Sequence, residues 1–65
     1  MISEKLMRLA DGKMINLSLF SGEDLKHVKC TNFYRKEDDD EENMIEIGNI
    51  IINQSEIKSL EILDN

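Results

Sequence analysis

Apolar positions along this chain change period more than once, and each change marks an element. Ile2, Leu6, Leu9 and Ala10 fall near i, i+4, i+7 and i+8, the spacing of one helical face, with Ser3 placed to cap the start, Glu4 in the first turn and Gly12 just past the end. At about 8 to 9 residues such a helix cannot persist alone and must lie against the rest of the fold. From Lys13 the period becomes two: Ile15, Leu17 and Leu19 alternate with Asn16, Ser18 and, less cleanly, Phe20, which predicts a half-buried strand. Ser21-Gly22-Glu23-Asp24 turns the chain. A second strand starts at Leu25, but Leu25 and Val28 stand three apart, which predicts a bulge or sharp bend before Val28 and Cys30 resume the alternation. That strand runs to Phe33-Tyr34.

Met44-Ile45-Glu46-Ile47 and Ile50-Ile51-Ile52 flank Gly48-Asn49, a two-residue turn signal that predicts a hairpin. Asn53-Gln54-Ser55 breaks the pattern. Ile57, Leu60 and Ile62, with Lys58, Ser59 and Glu61 between them, read as a last short strand, with a helical turn as the alternative. Three adjacent isoleucines put large side chains on both faces of one strand, which therefore wants cover on both sides, from the N-terminal helix or from a neighbouring subunit. The fold class expected is mainly β with one N-terminal α-helix, in a single domain over residues 1–65.

Between the two halves stand six consecutive acids, Glu37-Asp38-Asp39-Asp40-Glu41-Glu42, followed by Asn43. Like charges in a row repel and cannot be buried, so residues 36–43 are expected to form a solvated loop. The net charge is -6 and the isoelectric point about 4.6, a field that repels phosphate backbones and favours basic partners, with solubility alone as the plainer role. A domain of 65 residues buries only about 60% of its unfolded surface, so stability is small. Cys30 is the one cysteine, which excludes an intramolecular disulfide framework or a Cys-rich zinc site and points to a reducing, cytoplasmic compartment. Glu4, Lys5 and Arg8 interrupt the first apolar stretch well short of a signal-peptide core or the roughly 20 residues of a membrane span, so no membrane partner is expected.

The order of helix, strand, Gly-containing turn, bent strand, loop, hairpin, short break and final strand resembles the Sm-like family of small β-barrels, which includes the Sm, LSm and Hfq-type RNA-binding proteins. The similarity lies in Leu19-Phe20-Ser21-Gly22-Glu23-Asp24-Leu25-Lys26-His27-Val28 and in Ile51-Ile52-Asn53-Gln54-Ser55-Glu56-Ile57. It implies a strongly bent, SH3-like barrel of about five strands, assembled into rings by pairing the fourth strand of one subunit with the fifth of the next. Ile50, Ile51 and Ile52 on one side, with Ile57, Leu60 and Ile62 on the other, would then line the seam. The chain departs from the family at its RNA-contacting positions. His27 stands in place of Gly, Asn53-Gln54 in place of a basic pair, and the acids occupy the loop that carries the RNA pocket. In charge, and in Gly22-Glu23-Asp24-Leu25, it is similar to the acidic Sm-like inhibitors of Rho typified by Rof, which bind a protein instead.

Catalysis needs converging groups, and one His, one Cys and no Gly-rich phosphate loop supply none; no catalytic residue, cofactor or small-molecule substrate is expected. His27 and Cys30, three apart in a strand, point to opposite faces, leaving His27 at the rim and Cys30 as a small buried side chain. The acidic run lacks the spacing of an EF-hand loop, so no specific metal site is expected. Its functional reading is an electrostatic contact for a basic protein partner through Glu37, Asp38, Asp39, Asp40, Glu41 and Glu42. Lys29, Phe33, Tyr34 and Arg35, with Asn53 and Gln54, combine cations, aromatics and amides in the manner of single-strand nucleic-acid sites. The sequence therefore reads as a non-enzymatic acidic Sm-like module, a regulator or inhibitor of a basic or nucleic-acid-binding protein, with self-association. The alternative is a divergent Sm-like ring that binds RNA.

Overall fold

A computed structural model describes residues 1–63; the last two residues of the expected 1–65 domain lie outside the described residues. Helix α1 spans Glu4–Ala10, and the Ser3 hydroxyl accepts the Leu6 N–H at 3.1 Å, the cap that the sequence implies. Its buried stripe is the expected one in part: Ile2 packs against the core and Leu6 is half-buried. Met7 and Ala10 are fully buried, whereas Leu9 is 56% exposed. Met7, with a long unbranched thioether, joins Ala10 in the core in place of Leu9. Helix α1 packs on strands β3 (Asn32–Tyr34) and β6 (Ile57–Ile62).

Strand β1 (Met14–Leu19) lies at the centre of one antiparallel sheet, between β2 (Asp24–Lys29) and β6. Its alternation is as expected, with Ile15 and Leu17 buried. Strand β4 (Met44–Ile47) is the centre of a second antiparallel sheet, between β3 and β5 (Ile50–Asn53). The β4–β5 hairpin closes on Gly48-Asn49 with Ile47 opposite Ile50, and Gly48 takes the positive φ of 61° that such a turn requires. A 3-10 turn at Gln54–Glu56 joins β5 to β6. The predominance of strand and the single helix are thus present. Among the described residues there are six strands where about five were expected, and they form two three-stranded antiparallel sheets and not a closed barrel.

The reason is the bent strand. Ile15 pairs with Val28 and Leu17 with Leu25, so Lys26 and His27 together oppose Asn16, the bulge that the Leu25–Val28 spacing predicts. Three residues on, the strand changes sheets across one peptide. The Cys30 N–H still donates to Lys13 at 2.9 Å in the first sheet, while the Thr31 N–H donates to Glu46 at 2.9 Å in the second. What alternation reads as one long strand is therefore β2 and β3, and the core lies in the angle between the sheets. It consists of Met7, Ala10, Ile15, Leu17, Cys30, Ile45, Ile47, Ile52 and Ile57.

Candidate functional site

The loop Arg35–Asn43 joins β3 to β4, and its tip is exposed from Arg35 to Glu41. Its carboxylates organise its own backbone: Glu41 Oε1 accepts the Glu37 N–H at 3.0 Å, and Asp38 Oδ1 accepts the Asp40 N–H at 3.1 Å. Charge-assisted acceptors of this kind hold a turn open to water without any core. Glu42 differs from the other acids. It is half-buried, and its carboxylate accepts both the N–H and the hydroxyl of Ser55, at 2.8 and 2.9 Å, fastening the loop to the 3-10 turn.

Asn43 is the one buried polar residue among those described, 3% exposed, and it fixes the root of the loop. Its Oδ1 accepts the Lys36 N–H at 2.9 Å, and its Nδ2 donates to Gln54 Oε1 at 3.2 Å and, more weakly, to Glu4 Oε1 at 3.4 Å. Gln54 in turn donates from Nε2 to the Ile2 carbonyl at 2.7 Å. One amide pair thus ties the loop to the start of α1 and to the 3-10 turn. Around Glu4, Arg8 forms an i, i+4 ion pair and Arg35 Nε stands 4.0 Å away, so Arg35 leans to the helix. An open depression of about 200 Å³ lies between Glu4, Arg35, Lys36, Glu37, Asp38 and Asp39, walls of both signs. A second, of about 330 Å³, is bordered by Asp40, Glu41, Glu42, Met44 and Asn53.

The residues singled out for nucleic-acid contact do not converge. Lys29 ends β2 in the first sheet, on the exposed side. Phe33 packs against the core beneath the Arg8 guanidinium, 5.9 Å from its ring centre, while its neighbour Tyr34 faces the other side of β3. Gln54 is committed to Asn43 and Ile2. Only Tyr34 and Asn53 share a face, on either side of Met44. Of the apolar seam residues, Ile52 and Ile57 are in the core and Leu60 and Ile62 pack half-buried against it. Ile50 and Ile51 stay 48% and 46% exposed, so helix α1 does not give the cover that the isoleucine run called for.

Tyr34 is part of an arrangement that the sequence pattern alone does not disclose. Its hydroxyl donates to Glu46 Oε1 at 2.8 Å, and Asn32 Nδ2 donates to the same oxygen at 2.9 Å. These two donors hold the Glu46 carboxyl below its ordinary range, the Asn32 bond first; reciprocally, the bond to Glu46 raises the Tyr34 phenol. The available signal was the lone acid in Met44-Ile45-Glu46-Ile47, but its partners become visible only with the β3–β4 register. Cys30 is buried, donates to the Asn32 carbonyl at 3.4 Å, and has its thiol pKa raised by burial and then by Asp11. His27 is exposed. Among the described residues no three His, Cys, Asp or Glu side chains converge as a metal site, and no helix is long and apolar enough to cross a membrane. Comparison with known protein families, with curated proteins and with solved structures finds no match.

Proposed function

We propose that this chain is a non-enzymatic acidic binding module of the Sm-like type, a cytoplasmic regulator or inhibitor that engages a basic or nucleic-acid-binding protein. The observation that carries this reading is the loop. Glu37 to Glu41 are exposed, their hydrogen bonds go to the loop's own backbone, and neither ion pair among the described residues involves them. Such a cluster keeps its field for an outside cation, within a Debye length of about 8 Å in physiological salt. The Sm-like part of the reading is supported by the element order, by the bulged and bent β2–β3 segment, and by the pairing of β1 with both the next strand and the last.

A ring that binds RNA is the second reading. It is favoured by the outer edges of β5 and β6, unpaired among the described residues, and by the exposed Ile50 and Ile51 beside one of them. The experiment that separates the two is affinity capture from native lysate with and without nuclease, using the chain and a variant with Asp38, Asp39 and Asp40 changed to Asn. Basic proteins retained after nuclease and released by the variant are the expected result. Retention that disappears with nuclease favours the ring.

A further inference from the structure

The outer face of the β3–β4–β5 sheet carries a carboxylate that the fold orients and does not neutralise. Register sets Asn32, Glu46 and Ile51 in one row across the three strands, and Tyr34, Met44 and Asn53 in the next. Strands about 4.8 Å apart and alternate residues about 6.8 Å apart make this a patch of roughly 10 by 7 Å between Cα positions. Both bonds to Glu46 end on Oε1, and Oε2 has no protein donor among the described residues. The donors, an amide and a phenol, are neutral. They aim the carboxylate without cancelling its charge, and they favour its ionised form. No Lys or Arg occurs between residues 37 and 57, and Glu46 takes part in neither ion pair among the described residues.

We propose that this face is the docking surface for a basic segment of a protein partner, with Glu46 receiving an Arg or Lys head group whose stem lies along Met44 and Ile51 beside the Tyr34 ring. The proposal rests on the reading of the chain as an acidic binding module and names where on it the partner sits. An aimed anion bordered by an aromatic ring and two flexible or branched apolar side chains matches a cation on a methylene stem, and Arg gains further by stacking on tyrosine. The sign of charge selects the occupant. Asp40, Glu41 and Glu42 border the depression that continues this face past Met44 and Asn53, so the potential is negative along its length. Phosphate backbones are repelled by that field, and a second copy of this chain would bring a net charge of -6 to it.

The test is an amide-resolved NMR titration of the whole chain with four probes: octapeptides of alternating Arg-Leu, Arg-Ser and Glu-Leu, and an octanucleotide of uridine. The Arg-Leu peptide is expected to move Asn32, Tyr34, Met44, Glu46 and Ile51, and to bind more tightly than Arg-Ser. Glu46→Gln keeps an acceptor for both donors and is expected to weaken binding about tenfold, the loss of one hydrogen bond to a charged group. Ile51→Ser, on the outer strand of the sheet, is expected to weaken it by a smaller factor, with the fold checked by unchanged amide shifts in the β2–β1–β6 sheet. Shifts confined to residues 37–42 with Glu46→Gln without effect overturn this proposal and leave the acidic-module reading standing. No shift with either Arg peptide overturns both. Uridine shifting this face, or the same residues moving with protein concentration alone, assigns the face to RNA or to a second copy and overturns the proposal.

Discussion

Replacing Asn43 by Asp changes one amide nitrogen to oxygen and reverses the polarity of half the network at the root of the acidic loop. The acceptor for the Lys36 N–H is retained, but Nδ2 is replaced by an oxygen that faces Gln54 Oε1 at 3.2 Å and Glu4 Oε1 at 3.4 Å. Gln54 cannot turn its amide to rescue the contact, because Nε2 already serves the Ile2 carbonyl. Asn43→Ala loses two good side-chain bonds and leaves part-buried partners unmet, a cost of about 2–3 kcal/mol. Asn43→Asp at pH 7 adds a buried anion beside Glu4 and is expected to cost at least as much. In a domain of this size each kcal/mol moves the melting temperature by about 4–8 °C, so both variants should melt roughly 10–20 °C below the parent. The carboxyl introduced by Asn43→Asp would titrate above its unfolded value, so its penalty is present at neutral pH and fades as pH falls through that raised value. Thermal melts followed by circular dichroism at pH 7 and pH 4, each referred to the parent at the same pH, measure this. An Asn43→Asp protein melting within about 3 °C of the parent at pH 7 would refute the network.

His27 holds φ at 56° in the bulge, so His27→Gly relieves a left-handed conformation and should stabilise by about 0.5–1 kcal/mol; a lower melting temperature sinks the claim. Replacing residues 38–41 with Gly and Ser should leave the melting temperature unchanged or raised, whereas Glu42→Ala, which strips Ser55 of two acceptors, should lower it. The Tyr34–Glu46 bond works at two ends of the pH scale. Glu46, with its folded pKa lowered, contributes stability that is present above its unfolded pKa and lost as pH falls through the folded one; Tyr34, with its folded pKa raised, contributes stability present below its unfolded pKa and lost as pH rises through the folded one. Tyr34→Phe should flatten the alkaline limb of a melting-temperature profile, and an unchanged limb contradicts it. Light scattering should show self-association along the outer edges of β5 and β6, away from the Glu46 face, increasing with ionic strength as salt screens the -6 charge on each copy; a single mass of 7.5 kDa in low and high salt rules it out.

Periodicity made α1, β1 and the β4–β5 hairpin legible, because each buries a face whose spacing is intrinsic to its geometry. The Leu25–Val28 irregularity located the bulge, though not that His27 would be its left-handed residue. Where a property depends on register between segments, the linear pattern was silent. Asn43 reads as the end of an acidic run until Lys36, Glu4 and Gln54 are brought to it, and Gln54 reads as a free surface amide until Ile2 and Asn43 claim it. Tyr34 and Glu46 stand on opposite sides of the longest loop. Lys29 and Phe33 have the right chemistry for a nucleic acid but face different directions, which composition cannot reveal.

The hand-over of one strand between two sheets at Cys30–Thr31 sets an order of events in folding. The β3–β4–β5 sheet is built from sequence neighbours, closed by the Arg35–Asn43 loop and a two-residue turn, while the first sheet is complete only when β6 returns to β1. That return must close the stretch from Phe20 to Glu56, roughly four times as long as the acidic loop, for about 1.2 kcal/mol of additional loop entropy. Local contacts therefore reward the β1–β2 hairpin and the second sheet before β6 docks, and the last strand is the latch. Changes in β6 should then speed unfolding and leave the refolding rate nearly untouched, so the lifetime of the folded state is governed by the strand that follows the turn to which Glu42 fastens the acidic loop.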